Sequence, residues 1–201
     1  IMSGIISDNQ GRSSGLVKAA AASSDFKKLS AQTVSSVSSV SFDGFFTSDY
    51  NKYELMGNDI ECETSTGHAQ FRTRTSDADN TGSYYSNSAA MFYHDVNDEN
   101  WIVAANPGSS DLNSPTTYWK IDAVGKQASS TNLYTVRYVL YAPLSATRNI
   151  GEVECISEAS TAMAKAYGVG VYQNEALLSG MTFYVSAGTF SGTFTLYGYV
   201  K

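Results

Sequence analysis

Charge is scarce in this sequence. Charged residues make up 16 % of the 201 positions, well below the ~25 % of ordinary soluble domains. Proline occurs 3 times and cysteine and histidine twice each. Basic residues are also few: 13 Lys+Arg against 19 Asp+Glu give 13 − 19 = −6. That balance argues against nucleic acid as a partner, because phosphate binding needs clustered Lys and Arg. No apolar run approaches the ~20 residues of a membrane-spanning helix. No basic n-region followed by an apolar stretch opens the chain. Cys62 and Cys155 fall far apart, each inside a strand pattern, and are expected as buried thiols rather than a disulfide.

Hydroxyls, glycine and tyrosine fill the space left by charge. There are 16 Gly and 14 Tyr among abundant Ser and Thr. Residues 1–30 are small and weakly patterned. Leu16, Ala19, Ala20 and Phe26 could share a short helical face, and an extended arm packed on a neighbouring subunit explains the segment as well. From residue 31 to 201 the apolar period is two. Val34, Val40 and Phe42 are separated by Ser with Val37 out of phase, which predicts a strand with a bulge. Strands are further predicted over Lys52–Cys62, His68–Thr75, Tyr84–His94, Trp101–Ala105 and Thr117–Val124. Others follow over Leu133–Tyr141, Ile150–Ser157, Ala162–Tyr172, Gly180–Val185 and Gly192–Val200.

Turn chemistry at Gly57-Asn58-Asp59, Asp79–Gly82, Asn106-Pro107-Gly108, Gly125 and Ala187-Gly188 separates these segments. The expected fold is all-β, an antiparallel β-sandwich or jelly roll over 31–201 with an N-terminal arm or attachment segment over 1–30. Glu158–Tyr167 has helix-forming residues, but Tyr167–Tyr172 continues its alternation and favours a strand. In the last strand Phe194, Leu196 and Gly198 point one way and Thr195, Tyr197 and Tyr199 the other, which predicts cover on both faces.

Catalytic chemistry finds little footing. A nucleophilic triad needs a histidine beside Ser or Cys, and His68 and His94 come with no G-x-S-x-G elbow. His94-Asp95 reads as a strand end before an acidic loop. Asp77, Asp79 and Asn80 resemble the opening of a calcium loop, but Ser88 stands where an EF-hand needs a carboxylate. Asp95, Asp98 and Glu99 form a second acidic cluster, and both clusters are read as loops. No metal, cofactor or catalytic residue is therefore assigned. Tyr and Trp beside Asn and Ser are the residue types that stack on sugar rings and build adaptable binding surfaces. Tyr84, Tyr85, Asn87, Trp101, Tyr118 and Trp119 are the candidate recognition residues, on or after the loops Asp77–Ser86 and Asn106–Thr116. The competing reading places these aromatics in the core or a subunit interface.

Three blocks, in order, carry a family resemblance. Val40-Ser41-Phe42 precedes Tyr50–Leu55. Tyr138-Val139-Leu140-Tyr141-Ala142-Pro143 runs on to Arg148. Tyr172–Thr193 leads into Ser191-Gly192-Thr193-Phe194-Thr195-Leu196-Tyr197-Gly198. Together with Ile6–Lys18, they resemble the β-sandwich modules of tailed-bacteriophage virion appendages. That resemblance implies a non-enzymatic structural protein of the virion: a fibre, tail-tip or head-fibre module, usually homotrimeric. It would be joined to other virion proteins through its N-terminal arm and possess loops able to meet a host-surface glycan or protein. A capsid cement or decoration protein is the alternative, and a secreted carbohydrate-binding or carbohydrate-active module is a third reading.

Overall fold

The computed structural model describes residues 25–63, 69–95, 101–105, 116–121, 133–159 and 162–201. The readings placed on residues 1–24, including the arm, fall outside them. Thirteen strands run through the described chain. They are β1 (Phe26–Val37), β2 (Ser39–Asp43), β3 (Tyr50–Cys62), β4 (Ala69–Thr75), β5 (Ala78–Asp79), β6 (Tyr85–Asp95) and β7 (Trp101–Ala105). After these come β8 (Trp119–Ile121), β9 (Leu133–Tyr141), β10 (Asn149–Ala159), β11 (Ala162–Tyr172), β12 (Gly180–Val185) and β13 (Phe190–Val200). No helix occurs among the described residues, so Glu158–Tyr167 is strand where described.

Eight strands form one sheet in the order β1-β13-β3-β9-β10-β11-β6-β7. β2-β12-β4-β5, with β8 also paired to β4, form a five-stranded sheet. Every pairing is antiparallel. The two sheets make the sandwich that the period of two predicts. The chain crosses between them at Ser38, where β1 of the first sheet gives way to β2 of the second. The out-of-phase Val37 is thus not one bulged strand. It ends β1 after an irregularity between Val34 and Val37, with Ser36 at φ 52°, and β2 starts afresh in the other sheet. β1 also starts earlier than expected: residues 26–30 pair with β13 and belong to the sandwich.

Gly57-Asn58-Asp59, expected as a turn, lies inside β3 as a bulge with Asp59 at φ 52°. The true tight turn is Ser76-Asp77, at φ 50° and 66° between the paired Thr75 and Ala78. Two successive left-handed residues are what a two-residue hairpin requires.

The core lies between the sheets. Phe71, Phe183, Phe190 and Phe194 interlock with Tyr53, Tyr138 and Trp119, all fully buried. Phe183 meets Phe71, Phe190 and Phe194 at centroid separations of 5.0–5.4 Å. Trp119 packs edge-on against Tyr85 and Tyr138 at 5.6 and 5.2 Å. Room for its indole comes from β11: a Cβ on Gly170 would stand 2.7 Å from Trp119 Nε1. β11 therefore turns its small residues, Ala166, Gly168 and Gly170, inward and its larger ones, Lys165, Tyr167 and Val169, outward. Cys62 and Cys155 are buried thiols, as expected from their strand positions.

Candidate functional site

Pleating sends alternate residues of the eight-stranded sheet away from the core. Register places Phe26 and Lys28 of β1 beside Tyr199 and Tyr197 of β13, then Lys52 and Glu54 of β3. Next on the same outer face stand Tyr141, Val139 and Arg137 of β9, opposite Lys52, Glu54 and Met56. Ile150, Glu152, Glu154 and Ile156 of β10 follow, and Val171, Val169, Tyr167 and Lys165 of β11 stand opposite them.

The centre of this face is a lattice of paired charges and phenols. Arg137 Nη2 donates to Glu54 Oε2 at 2.9 Å, and Tyr199 OH donates to the same oxygen at 2.7 Å. Lys52 Nζ sits 3.4 Å from the Tyr199 ring centroid, a cation over the electron-rich face. Tyr141 OH donates to Glu152 at 3.0 Å, and Lys165 pairs with Glu154 at 2.6 Å. Val139 has Glu54 on one side and Glu152 on the other and is fully buried without joining the core cluster. Long polar neighbours close over it.

Protonation follows this packing. Burial pushes the Glu54 carboxyl up, but hydrogen bonds from Arg137 and Tyr199, with the nearby Arg137 and Lys52 charges, outweigh it. They hold the carboxyl below its ordinary value. Burial and the bond to Glu54 push Tyr199 up to about 12. Tyr141 is raised by burial and by Glu152. Glu54 therefore stays ionised and both phenols stay protonated near neutrality.

Around the lattice the face is apolar and open. Five of the eight exposed large apolar side chains among the described residues lie here: Phe26, Ile150, Ile156, Tyr167 and Val169. Val169 is 57 % and Ile150 53 % exposed. At the Lys52 end an open groove of about 730 Å³ is lined by Asn51, Lys52, Tyr141, Ala142, Tyr199 and Lys201, among others. Ala142 leaves β9 there at φ 46°, a left-handed value costly for a residue with a Cβ.

The opposite outer face, on the five-stranded sheet, is closed. Arg74 donates to Asp43, to Asp79 and to the Asp77 carbonyl, and it also reaches Ser41 at 3.2 Å and Thr182 at 3.0 Å. The Ser76-Asp77 hairpin adds β5 beside β4 and so sets Asp79 across from Arg74, and Thr182 is 1 % exposed. Asp79, a member of the calcium-loop pattern, is committed to Arg74 and accepts from Thr182 at 2.7 Å. Asn80 donates to Thr73 and Thr75.

Three of the six predicted recognition residues are buried. Tyr85, Asn87 and Trp119 are core, which corrects the expectation for all three. Tyr85 and Asn87 occupy the inward phase of β6; the Tyr85 hydroxyl bonds Thr73 and the Asn80 carbonyl. Trp119 Nε1 donates to the Ser86 and Val171 carbonyls at 3.2 Å each, so its polar edge is satisfied inside. Tyr84 is exposed and meets Tyr172 edge-on at 6.0 Å. Tyr118 is half-buried against Tyr184. Trp101 starts β7, but its side chain is outside the described residues, as are the side chain of His94, all of His68, Asp98 and Glu99, and the loop 106–115. Among the described residues no three His, Cys, Asp or Glu side chains group to hold a metal ion. Nor does any helix long and apolar enough to cross a membrane occur among them.

Ile150, Ile156 and Val169 were not among the sequence candidates, though a signal existed. In Ile150-x-Glu152-x-Glu154-x-Ile156 the two acids mark the wet phase of β10, and both isoleucines share it.

No family model matches this chain. No curated protein matches it either. Among solved structures it is similar to a Caenorhabditis elegans galectin, at 8 % identity and TM-score 0.35 over 87 % of this chain and 96 % of that one. The legume lectin-like domain from Entamoeba histolytica is similar at 14 % identity and TM-score 0.28, over 88 % and 89 %. A fructosyltransferase from A. japonicus is similar at 10 % identity and TM-score 0.33 over 88 % of this chain, which spans only 26 % of that enzyme. What these proteins do stays with them.

Proposed function

We propose that this chain is a structural protein of a tailed-phage virion, an appendage module that works by attachment rather than catalysis. The observation that carries the reading is the ordered set of appendage-like blocks. They coincide with β2 and β3, with β9 and its exit through Ala142-Pro143, and with β12 and β13. Apart from β2 and β12, these are contiguous strands of the larger sheet, in the order β13-β3-β9. The blocks thus cover the strands that carry Lys52, Glu54, Arg137, Tyr141 and Tyr199.

Physical chemistry supports attachment. The polar groups on the open face are engaged with one another, as in a surface made to be covered. On this reading the protein belongs to the particle exterior and assembles as a homotrimer, with the residues that precede β1 joining it to other virion proteins. Host recognition would use Tyr84 and Tyr118, the two candidates with exposed or half-exposed rings.

Imaging purified particles with a label on this chain tests the proposal. Label on the tail, neck or a vertex fibre is expected. A regular label over the head lattice would replace the appendage with a cement protein. Absence from particles, with release of oligosaccharide from a polysaccharide, would overturn the reading in favour of a carbohydrate-active module.

A further inference from the structure

We propose that the outer face of the eight-stranded sheet, centred on Ile150, Ile156 and Val169, is a contact surface for a second copy of this chain. The inference deepens the appendage reading by naming the subunit interface, and it rests on that reading only for the particle in which the interface is used.

Three features select this face. The first is apolar area. Ile150, Ile156 and Val169 are half-exposed or more on adjacent strands, and a cluster of this kind marks an interaction surface. Seven inter-strand steps of ~4.8 Å by ~20 Å along the strands give on the order of 700 Å², close to the ~800 Å² each partner contributes to a standard interface.

The second is charge. The whole chain carries −6, so two copies repel on approach. On this face, however, Lys28, Lys52, Arg137 and Lys165 stand against Glu54, Glu61, Glu152 and Glu154. A neutral patch on an acidic protein draws no basic partner, and it lets a like-charged copy come close.

The third is prior satisfaction. Arg137 with Glu54, Lys165 with Glu154, and Tyr141 with Glu152 are already joined within one chain. Covering them strands no lone charge, which is the usual penalty of burying ions. The β1 edge offers no easier route: Lys27 and Lys28 lie on it, and its pairing is irregular after Lys28 and after Val34. Such devices block edge-to-edge addition.

Sedimentation equilibrium of the full chain tests the inference. A multiple of the 21.6 kDa chain mass is expected at concentrations of about 10 µM, as interfaces of this size reach micromolar affinity or better. The double variant Ile150→Lys, Val169→Lys is expected to weaken association at least tenfold with its thermal midpoint kept, while Leu177→Lys, an exposed apolar position off this face, leaves it unchanged. If the double variant does not fold, maleimide labelling of Val169→Cys replaces it, and the labelling rate should fall as protein concentration rises. A wild-type monomer at every concentration, association indifferent to the double variant, or a labelling rate independent of concentration overturns the proposal. Particle labelling is separate. A monomer found on particles would sink this interface and leave the appendage reading standing. A self-associating chain absent from particles would do the reverse.

Discussion

The two outer faces of the sandwich use the same chemistry to opposite ends. Each has an arginine between strands with carboxylates to meet it. On the five-stranded sheet the Ser76-Asp77 hairpin sets Asp79 directly across from Arg74, and Arg74, Asp43 and Asp79 keep only 13, 20 and 25 % side-chain exposure. That cluster staples one part of the chain to another. On the eight-stranded sheet Glu54 is covered to 7 %, but its partner Arg137 retains 34 % and the neighbouring Lys165 50 %. A closed ionic cluster is spent on the fold, while an open one beside apolar side chains is available to a partner.

Breaking the closed face should have the largest effect. Arg74→Ala leaves Asp43 and Asp79 facing each other without their shared cation and is expected to cost about 3 kcal/mol, read as a lowered urea midpoint. An unchanged midpoint would mean that the hairpin holds without the cluster. Next comes the inward side of β11. Gly170→Ala sets a methyl 2.7 Å from the Trp119 indole and is expected to cost about 1–3 kcal/mol by overpacking, with a change in Trp fluorescence. Val169, one residue along but outward, should tolerate Val169→Ala within about 0.5 kcal/mol.

Arg137→Ala sharpens the comparison through pH. Glu54 ionises below its ordinary value in the folded chain. Its stabilising contribution is therefore full above the unfolded pKa, about 4.3, and is lost as pH falls through the folded value. Without Arg137 the opposing effect of burial gains weight, so the variant should lose about 1 kcal/mol at pH 7 and much less at pH 3. Urea midpoints across that range check it, and a constant difference between wild type and variant would contradict the role given to Glu54. The smallest effect expected is that of Ile150→Lys on the stability of a single chain, within about 0.5 kcal/mol.

The same contrast explains what could be read from the sequence. Strand positions were legible because a period of two survives any packing: Leu133–Tyr141, Ala162–Tyr172 and Gly180–Val185 have the bounds expected of them. Which face is inward was not legible where both phases carry aromatics. Trp119 looked like a contact residue because its core space is supplied by Gly151 and Gly170, distant in sequence and small for reasons visible only in three dimensions. Tyr85 looked wet because its hydroxyl partners, Thr73 and the Asn80 carbonyl, come together only through the hairpin. The Ser38 crossover was hidden as well, since a strand that bulges and a strand that changes sheets leave the same break in phase.

The central claim is that the open face of the larger sheet serves assembly on a particle. A density map of purified virions carrying this chain tests it most directly. The account predicts copies of the sandwich at the tail, neck or vertices, with Ile150, Ile156 and Val169 covered by a neighbouring copy. Copies that leave this face in solvent, or particles that lack the chain, would contradict it.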